Sequence, residues 1–199
     1  MKLEFLKREN FSQFLLKFSF LNRGYLFRFQ SYNLPKAWVY GISSRTRKGK
    51  YVLFHDYDDL SLPDVLEDLK FLQERFKLSN YYVFQIPDKS NSFHAICLDT
   101  FTISEAFEIQ KSSCCDLAFI NSIKFLKSKE WILRVGKKGN RAEPEFVKIL
   151  ESKFNKRVKS TAHKDYLRKI GISKEYFKGK FDGVKFLGVV KYNTANRVD

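Results

Sequence analysis

The alternation of short β-prone runs with helical periodicities after residue 50 constrains the fold of this chain more than any other feature. A capping hydroxyl at Ser61, followed by Pro63, predicts a helix that continues to Phe76 with apolar residues at helical spacing. Thr102 and Glu105 form a capping-box pattern that predicts a second helix. Around these helices lie β-prone runs at residues 51–58, 81–86, 93–98, 114–120 and 131–135.

The order of these segments contains a βαββαβ pattern, which predicts an α+β protein with a ferredoxin-like core similar to the RNA-recognition motif. We expect a single domain over residues 1–199, with a core at about 37–141 and a mostly helical appendage at about 142–199. The appendage is predicted to contain helices at 144–154 and 161–170 and a final strand at 184–192.

N-terminal strands are expected over residues 25–42, around a turn at 33–35. The strand at 37–42 is expected to form a hairpin with the strand at 51–58, because only the short basic segment between them separates the two.

The composition indicates a folded protein with a polyanionic partner. Hydrophobic residues make up 44% of the 199 residues, with 21 Phe and 10 Tyr, which is enough for a sizeable core. The net charge of +15 favours nucleic acid as the partner. No apolar run is long enough to span a bilayer, so we expect no membrane partner and a cytoplasmic protein, or one inside the host cell if it is viral. The three cysteines suit neither a disulfide framework nor a zinc site.

The β-prone run at 51–58 ends in two carboxylates, Asp56 and Asp58, one residue apart. Alternate side chains of a strand lie on the same face, so these carboxylates should point the same way. Two like charges at that spacing repel each other unless a cation lies between them. A polar turn after a strand would have the same sequence, but a site for Mg²⁺ or Mn²⁺ in phosphoryl transfer is the prediction that further residues support.

Three further polar residues are predicted to lie near these carboxylates. Ser92, Phe93 and His94 open the strand at 93–98, so Ser92 and His94 should share one face, with Phe93 on the other. Asp116 is expected in the strand at 114–120, and Asp99 is the competing carboxylate for the same role. Such residues converging on one predicted sheet indicate a catalytic site.

The pattern resembles the three motifs of the archaeo-eukaryotic primase superfamily, the primase-polymerases, over about residues 37–141. The first motif is a hydrophobic strand ending in Asp-x-Asp, matched at 53–58. The second is a small residue, any residue and then His, matched at 92–94, and the third is a hydrophobic residue followed by an acid, matched by Cys115 and Asp116. His55 departs from the pattern, because the family usually has an apolar residue there.

This resemblance implies a metal-dependent nucleotidyltransferase of DNA replication that primes or extends strands on a single-stranded DNA template from nucleoside triphosphates. Asp56, Asp58 and Asp116 would be catalytic and would hold Mg²⁺ or Mn²⁺, whereas Ser92 and His94 would contact the incoming triphosphate. Arg134, in a strand after the third motif, is a further candidate for phosphate binding. The compact size suggests a virus or another mobile element, and the chain has no P-loop, so any helicase would be a separate partner.

Basic residues flank an acidic stretch at residues 51–74, an arrangement that suits an enzyme acting on nucleic acid. A solvated basic loop is the alternative explanation. The residues predicted to bind nucleic acid are Arg45, Arg47, Lys48, Lys50, Lys137, Lys138 and Arg141.

Three other functions remain open. A rolling-circle replication initiator would use a Tyr-x-x-Lys pattern, which Tyr166 and Lys169 match, but the His pair of such proteins is absent. A nuclease could use the same carboxylates, because metal sites for synthesis and cleavage look alike. A non-catalytic nucleic-acid-binding module would use its sheet aromatics to stack bases, which leaves the carboxylates without a role.

Overall fold

The computed structural model describes residues 2–8, 11–20, 23–32, 38–125, 129–138, 141–185 and 189–193. It is an α+β protein, and the chain divides into two compact units. One unit comprises Met1–Lys36 with Ala195–Asp199, and the other comprises Ala37–Thr194.

The first unit contains an antiparallel sheet of three consecutive strands in the order β1-β2-β3. These strands are β1 (Lys2–Arg8), β2 (Phe11–Phe20) and β3 (Arg23–Tyr32). Strand β3 overlaps the strand region predicted at 25–42 but begins two residues before it, whereas β1 and β2 were not predicted. The turn predicted at 33–35 lies outside the described residues.

The second unit contains the other strands and the helices. In chain order these are β4 (Trp38–Ser43), β5 (Tyr51–Asp58), α1 (Leu62–Phe76), β6 (Tyr81–Ile86), β7 (Lys89–Phe101), α2 (Ile103–Lys111), α3 (Leu117–Phe125), β8 (Ile132–Arg134), β9 (Glu145–Leu150), α4 (Thr161–Lys169) and β10 (Val189–Asn193). Among the described residues the strands form a four-stranded sheet, in the order β5-β7-β6-β9, and a three-stranded sheet, in the order β10-β4-β8.

Strand β7 lies between β5 and β6 in the four-stranded sheet, and helix α1 connects β5 to β6. Both β5 and β6 pair with β7 in antiparallel orientation, so they run parallel to each other with β7 between them. Helix α1 begins as predicted, because the Ser61 hydroxyl accepts a hydrogen bond from the Asp64 amide at 3.4 Å. Its buried face includes Val65, Leu69 and Leu72. Helix α2 packs against β5 and begins at the predicted capping box.

Two predicted elements are wrong. Residues 114–120, predicted as a strand, lead into helix α3. The buried residues Phe119, Ile120 and Ile123 have helical spacing, but a short apolar run does not distinguish a strand from a helix. Residues 144–154, predicted as a helix, contain strand β9, because this segment pairs with the outer edge of β6.

These corrections change the predicted architecture in its second half. The segment from β5 to α2 follows the expected order, but a helix replaces the strand expected after α2. The described part of the appendage contains two strands, β9 and β10, besides helix α4, so it is not mostly helical. The hairpin expected between 37–42 and 51–58 is also wrong, because β4 and β5 belong to different sheets. The connection between them does close a short turn, in which Arg45 and Tyr51 form a bridge and the Val52 amide donates to the Ser44 carbonyl.

No helix in the described part of the chain combines the length and the apolar character needed to cross a membrane.

Candidate active site

The pairing of β5 with β7 brings the two predicted sequence motifs together. In this register Asp56 lies opposite His94, and Asp58 lies opposite Ser92. The His94 Nε2 atom is 3.4 Å from Asp56 Oδ1, and the Ser92 hydroxyl donates a hydrogen bond of 2.7 Å to Asp58 Oδ1. The four side chains therefore form two cross-strand pairs on one face of the sheet.

These pairs form a gradient of exposure toward the end of β5. The side chain of His94 is 6% exposed and that of Asp56 is 19% exposed. At the strand end, the Asp58 side chain is 42% exposed and lies 3.5 Å from the ammonium group of Lys89. The imidazole of His94 is thus almost fully buried, whereas the carboxylates of Asp56 and Asp58 are partly accessible to solvent.

Asp116 lies beside this site at the outer edge of β5. Its amide donates a 2.8 Å hydrogen bond to the Asp56 carbonyl. The Asp116 carboxylate accepts hydrogen bonds from the amides of Ala118, at 3.0 Å, and Phe119, at 3.2 Å, and so caps helix α3. The third predicted carboxylate residue is therefore next to Asp56, but a loop and a helix start position it instead of the expected strand.

The loop that carries Asp116 is fixed to β5 by neighbouring groups. The Cys115 thiol contacts both the amide and the carbonyl of Asp56 at 3.2 Å. The Asp68 carboxylate, on α1, accepts a 2.8 Å hydrogen bond from the Tyr57 hydroxyl and 3.2 Å hydrogen bonds from the Cys114 amide. Sequence reasoning did not identify the role of Asp68, because one of its partners is a backbone amide that only the tertiary structure brings near.

His55 points to the opposite face of the sheet, so its departure from the first motif leaves the carboxylate face unchanged. The side chain is fully buried, stacks on Tyr57 and has its Nε2 atom 3.1 Å from the Tyr81 hydroxyl. Burial lowers the pKa of His55 to about 3, so it is neutral at physiological pH.

Arg134 holds a turn near the site. Its guanidinium group donates hydrogen bonds to the carbonyls of Gly136, at 3.0 Å, and Ala142, at 2.8 Å. The Ala142 amide also donates a hydrogen bond to the Asp88 carboxylate, in the turn that precedes Lys89. This segment therefore lies against the β6–β7 turn, and it carries three of the predicted nucleic-acid-binding residues, Lys137, Lys138 and Arg141.

The other predicted basic residues lie at the far end of β5. Arg45, Arg47, Lys48 and Lys50 are exposed in the connection between β4 and β5. From the rise of a strand, Lys50 is about 20 Å from Asp56 along β5. The structure therefore does not bring this group to the carboxylates. Lys89, which sequence reasoning missed, is the lysine that contacts Asp58; the only sequence signal was its position in the turn before Ser92.

The donor atoms of the site suit a hard divalent cation. Carboxylate oxygens are the ligands that Mg²⁺ and Mn²⁺ prefer, and Asp56 and Asp58 present theirs side by side at a solvent-accessible strand end. Within the described ranges, no group of three or more His, Cys, Asp or Glu side chains is arranged to hold a metal ion. The pair Asp56 and Asp58 therefore forms the candidate cation site, and the Asp116 carboxylate is at present turned toward α3.

Comparison of the chain with protein-family models, with curated proteins and with solved structures finds no match.

Proposed function

We propose that this protein is a metal-dependent nucleotidyltransferase of the primase-polymerase type, which primes or extends strands on single-stranded DNA. The observation that carries the proposal is the pairing of Asp56 with His94 and of Asp58 with Ser92 on one face, where both carboxylates are partly exposed, with the Asp116 amide hydrogen-bonded to the Asp56 carbonyl. Residues from all three motifs that carry the resemblance are thus neighbours in space.

The topology supports a core similar to the RNA-recognition motif. The elements β5, α1, β6, β7 and α2 have the order of such a core, and β7 lies between β5 and β6 as the third strand would. The fourth strand of that core would pair with the outer edge of the first. The loop carrying Asp116 makes a backbone hydrogen bond at this edge, so we propose that it substitutes for the missing strand.

The proposed roles follow from the charges and contacts of the site. Asp56 and Asp58 would hold Mg²⁺ or Mn²⁺, and Asp116 would join them once its carboxylate turns from the amides of Ala118 and Phe119 toward the ion. Such an ion would supply positive charge to stabilise the attacking oxygen and the leaving pyrophosphate. His94, whose Nε2 atom faces Asp56, would donate from Nδ1 to a phosphate oxygen of the incoming nucleotide when both ring nitrogens carry protons. The Ser92 hydroxyl orients the Asp58 carboxylate. When the nucleotide binds, the ammonium group of Lys89 leaves Asp58 and contacts a phosphate group.

The basic turn at Lys137, Lys138 and Arg141 is suited to bind the template strand near the reaction centre. Arg134 supports this turn through its two carbonyl contacts instead of binding the nucleotide directly. Duplex unwinding would come from a separate helicase.

The test is an extension assay on a single-stranded template with labelled nucleoside triphosphates and Mg²⁺ or Mn²⁺, with and without a primer. We expect products from the wild type and a loss of about a thousandfold or more in Asp56→Asn, because an ion that stabilises transition-state charge contributes several kcal/mol. Asp59→Asn is the matched control, since Asp59 is exposed, adjacent to Asp58 and in the left-handed conformation that Asn tolerates. No product from the wild type, or equal activity in Asp56→Asn, would refute the proposal.

A further inference from the structure

The site residues continue as a row of side chains across the four-stranded sheet. Asp56 on β5 is paired with His94 on β7, and His94 is paired with Phe84 on β6. Phe84 is paired in turn with Phe146 on β9, and their rings pack edge to face with centroids 5.8 Å apart. One face of the sheet therefore carries, in line, a carboxylate, an imidazole and two phenyl rings, of which the carboxylate and the last ring are the accessible members.

The last ring of the row is open to solvent. Phe84 is 5% exposed and serves as a buried support, whereas Phe146 is 43% exposed. Among the side chains that the structure describes, the other large exposed aromatic residues are Tyr40, on the other sheet of this unit, and Phe71, on α1. Phe146 is thus the exposed aromatic ring in register with the candidate active site.

The spacing of the row suits a ligand that is anionic at one end and flat and apolar at the other. Three interstrand spacings separate the Asp56 and Phe146 backbones, a distance of about 14 Å. A nucleoside triphosphate has this character, because its phosphates require the cation and the imidazole while its base presents a flat face for stacking. Stacking on an aromatic side chain accepts every base, which suits an enzyme that copies a template.

We propose that Phe146 is the base-stacking platform for the incoming nucleoside triphosphate, whose phosphates lie over Asp56 and His94. This inference rests on the proposed function and assigns the base subsite to that same site. The nucleotide then reaches from the carboxylates at the end of β5 to Phe146, and the buried ring of Phe84 holds the Phe146 ring in place.

The experiment compares Phe146→Ala, Phe146→Tyr and Val147→Ala in the extension assay. Val147 is the matched control, because it is the adjacent apolar residue of β9, is also exposed at 38% and has no ring on which a base could stack. We expect Phe146→Ala to raise the KM for nucleotide roughly 10-fold to 100-fold, as the loss of one base–aromatic stack would, with little change in kcat. Phe146→Tyr keeps the ring and should behave like the wild type, as should Val147→Ala.

An unchanged KM in Phe146→Ala would overturn the inference, and so would a loss confined to template affinity, measured by the anisotropy of labelled single-stranded DNA. In either case the wild type would still polymerise, so the proposed function would stand. A binding readout that needs no turnover is the fluorescence of Phe146→Trp during titration with a nucleoside triphosphate and Ca²⁺. We expect saturable quenching that is absent from the wild type, and an unresponsive Trp at this position would also contradict the proposal.

Discussion

Acidic side chains near the two ends of strand β7 differ in how deeply they are buried and in how their charges are balanced. Near its start, Ser92 and His94 contact Asp58 and Asp56, whose carboxylates remain partly exposed. Near its end, the Asp99 side chain is 1% exposed and accepts hydrogen bonds from the amide and the hydroxyl of Ser79, at 2.8 and 2.7 Å.

The charge of Asp99 is balanced within the fold. The ammonium group of Lys159 lies 3.8 Å from Asp99, is itself 6% exposed and also donates a hydrogen bond to Asn155. A carboxylate satisfied in this way has a structural role, whereas Asp56 and Asp58, whose side chains are 19% and 42% exposed, can be approached from solvent. The comparison shows why Asp99, the competing carboxylate, is less suited than Asp116 to join Asp56: Asp99 is committed to a buried ion pair.

The largest effect should come from breaking the buried pair. Lys159→Met leaves the Asp99 charge buried without its partner, so we expect the free energy of unfolding to fall by about 3 kcal/mol in urea denaturation. Adding Asp99→Asn in the same chain should restore part of that loss. Lys156→Met, at an exposed lysine, is the control. Asp58→Asn should change stability by less than about 0.5 kcal/mol; equal losses at both ends of β7 would contradict the distinction between structural and functional carboxylates.

The second effect is a loss of stability in acid. Burial lowers the pKa of His163 to about 4, against the opposing effects of the Ser43 carbonyl and Asp182. The unfolded chain binds a proton at this side chain below about pH 6.5, whereas the folded chain does so only near pH 4, so stability falls as the pH drops through this window. We expect this histidine to account for about 2 kcal/mol of lost stability at pH 5.

The variant His163→Gln tests this effect, because its amide can still donate to the Ser43 carbonyl but does not titrate. Urea denaturation of the wild type and the variant between pH 7 and pH 5 should show a smaller decrease for the variant. Parallel pH profiles for the two proteins would refute the assignment.

A smaller effect is expected from loosening the loop that positions Asp116. Asp68→Ala removes the acceptor for the Tyr57 hydroxyl and the Cys114 amide, and we expect activity to fall about tenfold with a higher Mn²⁺ requirement. Asp68→Asn keeps an acceptor oxygen and should recover part of the activity. Glu67→Ala, at the exposed neighbouring position, is the control. A lower melting temperature with an unchanged Mn²⁺ requirement would show that Asp68 has only a structural role.

The smallest effect is expected at Tyr166. This side chain packs against the core, and burial raises its pKa to about 12, so it is a poor nucleophile at neutral pH. Tyr166→Phe should therefore retain full extension activity. A covalent adduct between protein and DNA that forms with the wild type and disappears in Tyr166→Phe would instead support the rolling-circle initiator hypothesis.

The sequence was informative wherever local rules determine the structure. The caps at Ser61 and Thr102 and the apolar spacing of α1 predicted the two helices before and after β6 and β7. The two-residue period of strands placed Asp56 with Asp58 and Ser92 with His94 on shared faces. For these four residues, strand periodicity supplied the shared faces, and the pairing of β7 with β5 placed the second pair opposite the first.

The remaining features depend on tertiary contacts that no local pattern records. Strand β9 forms by pairing with the outer edge of β6. Helix α3 begins after Asp116, whose carboxylate accepts a hydrogen bond from the Ala118 amide. Arg134 donates to backbone carbonyls, and Asp68 accepts from the backbone amide of Cys114. The positions of these backbone groups are determined only by the folded chain.

The most direct test of the central claim is Mn²⁺ binding, measured by electron paramagnetic resonance for the wild type, Asp58→Asn and Asp59→Asn. The account predicts that the wild type and Asp59→Asn bind Mn²⁺ alike and that Asp58→Asn binds at least about ten times more weakly, because it loses a carboxylate ligand. Equal Mn²⁺ binding by all three proteins would contradict the assignment of the strand end at Asp56 and Asp58 as a metal site.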